Sequence, residues 1–101
     1  MSALNQFMAE HRRLAILRLL AADDGYAMNE DILGHGLAAL SLHSSAATLH
    51  ADLLHLRDHG LLGVETLGDD LYVATINRRG VDVARGLERA PGVARPKPGG
   101  G

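Results

Sequence analysis

Between Ser44 and Glu65 the spacing of apolar residues changes period, and that change predicts the middle of the chain. Ala46, Leu49, Leu53 and Leu56 recur at helical spacing and form one stripe; Gly60 stops the helix; Leu61, Leu62 and Val64 begin an extended run. Ser44 or Ser45 can cap this helix by accepting a backbone N–H, and Ser41 to His43 supply a turn after an earlier apolar segment. The predicted order is helix, turn, helix, strand.

The flanking sequence completes the pattern. Ala3 to about Ala22 reads as one long helix in which Leu14, Ile16, Leu17, Leu19 and Leu20 cover more than half the circumference, leaving a polar wedge around His11, Ala15 and Arg18. So wide an apolar face suggests either the central helix of a small fold or a helix shared with a second subunit. Asp23, Asp24 and Gly25 end it, Tyr26 to Met28 form a short extended connection, and Asn29 caps a helix from Glu30 to about Leu40. Glu30 and Asp31 meet the positive end of that helix's dipole, and Ile32, Leu33, Leu37 and Leu40 give it an apolar face. Gly34 and Gly36 each weaken it by about 1 kcal/mol relative to alanine.

Leu62 to Leu67 and Leu71 to Ile76 read as two strands joined by a tight turn at Gly68, Asp69 and Asp70, which predicts a two-stranded ribbon. Asn77 caps a last helix, about Arg78 to Glu88, with Val81, Ala84 and Leu87 on one side. From Ala90 the sequence PGVARPKPGGG predicts an extended or flexible tail, so the expected division is a domain over 1–89 and a tail over 90–101.

Composition narrows the class. A chain of 101 residues, 47% hydrophobic, builds one core, and with only Phe7, Tyr26 and Tyr72 as aromatics that core is aliphatic and mostly helical. Without cysteine there is neither a disulfide framework nor a thiolate metal site, and nothing implies an oxidising compartment. The apolar run from Leu14 to Ala22 is interrupted by Arg18 and followed by Asp23 and Asp24, which suits neither a membrane span nor a signal peptide. A bacterial-type cytoplasm is the simplest expected location. The formal net charge of −2 does not by itself advertise a nucleic-acid partner.

Three helices, a hairpin and a closing helix, mainly α with a small β-hairpin, form the pattern of a winged helix-turn-helix. LHADLLHLRDHGLLGVE resembles the end of the recognition helix in ArsR-type and MarR-type repressors, and ATINRRGVDVA resembles their segment after the wing; this likeness runs from about Glu10 to Glu88. The phrases HRRLAILRLL, MNEDILGHGL, VATINRRGVDVARG and PGVARPKPG resemble small winged-helix-like proteins of Mu-like phages and prophages. The resemblance implies a phage setting and a winged-helix fold. It carries two functional expectations: a regulator or accessory factor that binds double-stranded DNA, and a module that binds a phage or host protein without touching DNA.

On the third helix the side opposite the core stripe carries Ala47, Ala51, Leu54 and Asp58, apolar and then acidic, whereas base and phosphate readers are polar or cationic. From Ser41 to Ile76 the only permanent cation is Arg57, against Asp52, Asp58, Glu65, Asp69 and Asp70, and the wing tip would repel phosphate. The candidate DNA contacts are Ser44, Ser45, Thr48, His50, Arg57, Arg78 and Arg79, the last two beside the wing with few nearby acids. For the first four, capping and plain solvent exposure are the simpler roles. Further positive charge lies at Arg12, Arg13, Arg18, Arg85, Arg89, Arg95 and Lys97.

Leu14 and Leu19 are candidates for a homodimer contact, and Ala47, Ala51 and Leu54 for a protein contact. Asp52, His55 and His59, at i, i+3 and i+7, are weak candidates for a zinc site, an exposed helix edge being the simpler reading. They could also act as an acid–base pair, but no nucleophile, phosphate loop or oxyanion site accompanies them, so no enzyme and no cofactor is expected.

Overall fold

Each helix of the chain starts on a side chain that suits the task. The computed structural model describes residues 2–97, and in it Ser2 Oγ accepts the Asn5 N–H at the start of α1 (Ala3–Ala22). Asn29 caps α2 (Glu30–Ala39) through the Ile32 N–H, Ser45 caps α3 (Ala46–Asp58) through the Thr48 N–H, and Asn77 caps α4 (Arg78–Ala84) through the Gly80 N–H. Gly60, at φ +74°, ends α3 as expected: Leu61 N–H reaches back to the Leu56 carbonyl at 3.0 Å and Gly60 N–H to that of Arg57 at 2.9 Å. The turn after α2 closes in the same way, with Ser41 at φ 62° in the position usually left to glycine and Leu42 N–H bonded to the Leu37 carbonyl at 2.8 Å.

β2 (Leu62–Leu67) and β3 (Leu71–Ile76) pair antiparallel in the register Leu62↔Ile76 to Leu67↔Leu71, with the bounds foreseen. The ribbon is not two-stranded, however. The segment read as a connection is β1 (Ala27–Asn29), which pairs antiparallel with β3 and gives the sheet order β1-β3-β2. Three residues are too few to show a strand period. What recruits them is the otherwise unpaired edge of β3, whose backbone groups need partners.

The core is aliphatic and centred on α1. Ile16, Leu17 and Leu20 are fully buried because α2, α3, α4 and β3 all pack against this one helix. That arrangement corrects one expectation: Leu14 is not left for a second subunit but is 6% exposed within the single chain. Leu19 is half-buried against α2, where a methyl group at Gly36 would come within 2.9 Å of its Cδ1. Gly36 thus permits a close helix approach that offsets its low helix propensity. The uncovered apolar residues of α1 lie at its start, Leu4 being 66% and Phe7 52% exposed.

Three further positions differ from the pattern read along the chain. On α3 the buried set is Leu49, Asp52, Leu53 and Leu56; Ala46 is exposed, and Leu54, expected on the outer face, is half-buried. α4 stops at Ala84, so Leu87 is not part of its apolar side and is 74% exposed. The segment expected to bury little runs back over α1 instead: Ala90 is buried, Val93 packs on the core, and Ala94 N–H bonds to the Glu10 carbonyl at 3.0 Å. Residues 98–101 of the expected tail lie outside the described residues.

Gly80 is the tightest point of the fold. It is buried in the first turn of α4, and a methyl group there would overlap the Leu61 carbonyl oxygen and the Ile76 side chain. Backbone cannot yield as a flexible side chain can, so Gly80→Ala is expected to cost about 2 kcal/mol or more. Thermal unfolding followed by circular dichroism should show Tm falling by on the order of 10 °C; an unchanged Tm would mean that α4 can move off the sheet at little cost.

Candidate interaction surfaces

The polar centre of the molecule is a carboxylate placed where the α3 stripe would take a leucine. Asp52 lies between Leu49 and Leu56 on the inward side and is 1% exposed. Arg12 holds it with Nε and with Nη2, the latter at 3.2 Å from Oδ1, and Arg13 Nε donates to Oδ1 at 3.0 Å. Arg13 Nη1 also donates to the Gly92 carbonyl at 2.9 Å, so one cluster ties α1, α3 and the C-terminal segment together. Two arginines that the sequence offered as free positive charge are therefore engaged.

The metal reading of Asp52, His55 and His59 does not survive this geometry. Asp52 faces α1, His55 Nε2 donates to the Pro91 carbonyl at 2.9 Å, and His59 Nδ1 donates to the His55 carbonyl at 2.8 Å. The two rings stack with centroids 4.3 Å apart, and among the described residues no group of three or more carboxylates and histidines is placed to hold a metal ion.

Most of the candidate DNA contacts have internal work. Ser45 caps α3 and donates a hydrogen bond to Thr48 Oγ1 at 3.0 Å, whereas Ser44 is exposed. His50 bonds to the buried Glu30 carboxylate and lies against Tyr72 with ring centroids 4.5 Å apart. Glu30 Oε1 also accepts the Tyr72 N–H at 2.9 Å, so a residue read only as a dipole partner joins α2, α3 and β3. Arg57 pairs with Asp58 at 2.9 Å. Arg79 is not among few acids as expected: it pairs with Glu88 and donates to the His59 carbonyl at 2.9 Å, which leaves Arg78 exposed without an ion pair among the described residues.

Among the described residues, open surfaces include two grooves and a cleft. A groove of about 610 Å³ separates the start of α1 from α3, with Met8, Ala9 and Arg12 on one side and Ser44, Ala47 and Ala51 on the other. An apolar groove of about 510 Å³ runs along α1 past Phe7, Leu14, Leu19, Leu40 and Leu42. A smaller cleft of about 300 Å³ lies between the end of α4 and the C-terminal segment, lined by Val83, Arg89, Ala90, Val93 and Arg95. The sequence pointed to Leu14, Leu19, Ala47 and Ala51. It gave no sign of the last cleft, which exists only because the tail folds back.

Removing the Asp52 carboxylate would leave two guanidinium groups facing each other at a largely dry site. Asp52→Ala is expected to cost about 3 kcal/mol, the low end for breaking a buried pair because both arginines keep some contact with water. Urea unfolding measures it, and a loss below about 1 kcal/mol would place the cluster with ordinary surface pairs.

No protein-family model matches the chain, and no solved structure matches it. The chain is 39% identical over 95 residues to the uncharacterized protein gp26 of Escherichia phage Mu, an alignment spanning 94% of this chain and 97% of that protein. An uncharacterized protein of Haemophilus influenzae is 34% identical over 74 residues, 73% of this chain and 72% of its own length. Likeness at this level over nearly the whole length of both chains means that the protein belongs to the family of phage Mu gp26.

Proposed function

We propose that the protein is a winged-helix factor of a Mu-like phage or prophage that binds double-stranded DNA as a regulator or accessory factor, acts in the bacterial cytoplasm and carries no enzymatic activity. The observation that supports this reading is the arrangement of α2, a tight turn and α3, followed by the β2–β3 hairpin, with β1 on the free edge of β3 and α1 behind them. This is the element order of winged helix-turn-helix domains, a scaffold that many duplex-DNA-binding factors share. The kinship with gp26 supports the phage setting.

A second reading, a protein-interaction module, is favoured by one feature of the surface. Ala47 and Ala51 are exposed on α3, and Phe7 and Leu40 are exposed at the apolar groove of α1. Small and apolar side chains suit a second copy of the chain, or a phage or host protein, better than a DNA groove.

Titration of mixed-sequence duplex DNA separates the two. Binding that weakens steeply between about 50 and 200 mM salt is the expected result, since phosphate contacts release counterions; no binding at the lower salt would remove the DNA reading. For the second reading the informative change is Phe7→Glu, because Phe7 is exposed whereas Leu14 is part of the packed interior. Sedimentation should show a wild-type dimer that this substitution converts to a folded monomer, and a wild type already monomeric would exclude a dimer through α1.

A further inference from the structure

Positive charge is strongly segregated along this chain. Six of the ten lysines and arginines fall after residue 77, namely Arg78, Arg79, Arg85, Arg89, Arg95 and Lys97, with only Asp82 and Glu88 against them. The preceding part holds Arg12, Arg13, Arg18 and Arg57 against the other ten acids. Pairing follows the same division. Arg12 and Arg13 are engaged by Asp52 and Arg57 by Asp58, which leaves Arg18 alone there without an ion pair, whereas in the C-terminal part only Arg79 has an acid partner among the described residues. Arg78, Arg85, Arg89, Arg95 and Lys97 are all exposed and make no ion pair among the described residues.

These cations sit on a fixed surface. Arg78 and Arg85 are seven residues apart, which places them on one side of α4 and its cap. Beyond α4 the chain is held down by Ala90 in the core, by Arg13 on the Gly92 carbonyl, by His55 on that of Pro91 and by the Ala94 bond to Glu10. Arg89 and Arg95 thereby flank the same cleft over Val83, Ala90 and Val93. The carboxylates of Asp69 and Asp70 are carried away by the six-residue strand β3, about 20 Å from the start of α4.

We infer that the DNA-contacting surface is this C-terminal one, α4 and the strap after it, which holds the phosphate backbone without reading bases, while α3 and the wing take no direct part. The inference rests on the DNA-binding reading above. Guanidinium forks match phosphate oxygens, and a set of cations spread over an open surface fits a line of phosphates. An acidic protein partner would instead need a cluster of buried apolar anchors among the charges, and Leu87 is the one large exposed apolar side chain on this segment among the described residues.

The test is fluorescence anisotropy of a labelled mixed-sequence duplex with the full chain at several salt concentrations. Neutralising Arg89 and Arg95 together (R89A with R95A) is expected to weaken binding on the order of ten-fold at low salt and to lower the slope of log K against log salt by about 2. R85A with K97A gives a second pair with the same expected sign, and circular dichroism confirms that each variant is folded. S44A with R57A, a pair just before and on α3, should change affinity by less than about two-fold. Loss of binding in the α3 pair with both C-terminal pairs silent would overturn the inference while leaving DNA binding in place; a wild type that does not bind at low salt would remove the DNA reading itself. Binding of poly-glutamate as tight as that of the duplex, at equal charge concentration, would overturn the assignment to nucleic acid in favour of an acidic protein.

Discussion

Everything in this fold depends on covering one helix. α1 is apolar over more than half its circumference, and burying a leucine-sized side chain is worth about 1.5–3 kcal/mol, so leaving that face in water would cost more than a domain of this size can spare. The chain meets the demand by placing α2, α3, α4 and β3 around α1. Several local features serve that packing. Gly36 lets α2 approach Leu19, Gly80 lets α4 approach Leu61, and the Ser41 turn reverses the chain after α2 and directs it towards α3.

The polar contacts then decide how the covering elements are oriented. Asp52 could have been one more leucine in the α3 stripe, and a leucine there would raise the apolar burial. An aspartate held by Arg12 and Arg13 fixes the register of α3 against α1, because two guanidinium forks accept far fewer geometries than an apolar contact does. Arg13 carries the same constraint onward to Gly92, and Glu30 with His50 does the equivalent work between α2, α3 and the hairpin. Buried carboxylates at two helix junctions thus position the hairpin and the C-terminal segment relative to α1.

How far these features could be read from the sequence depends on the range of the interaction that makes them. The caps at Asn29, Ser45 and Asn77, the stop at Gly60 and the bounds of β2 and β3 are set within a few residues, and the apolar period with Ser, Asn and Gly at its ends was enough to place them. β1 is different: three residues become a strand only because β3, far along the chain, offers an edge. The strap is different too, since its Pro and Gly content describes the chain in isolation and says nothing of the carbonyls that Arg13 and His55 reach. Asp52 is an intermediate case. Its place between Leu49 and Leu56 was visible, and a carboxylate inside an apolar stripe calls for a buried partner rather than a metal.

The formal charge of −2 conceals a molecule with two unlike ends. A uniformly charged domain would approach a polyanion in any orientation or in none, but here Glu65, Asp69 and Asp70 are exposed along the hairpin, whereas Arg78, Arg85, Arg89, Arg95 and Lys97, exposed and without an ion pair among the described residues, lie on α4 and after it. At moderate ionic strength a charge is felt over about 8–10 Å, so these two regions act nearly independently on anything that approaches. A polyanion near the hairpin would be repelled and one near the C-terminal segment attracted, so the charge pattern would orient the molecule during encounter and not only after contact. Folding the C-terminal segment onto α1 is what makes this orientation effective, because it fixes Arg89 and Arg95 on the same packed body that carries the acidic hairpin.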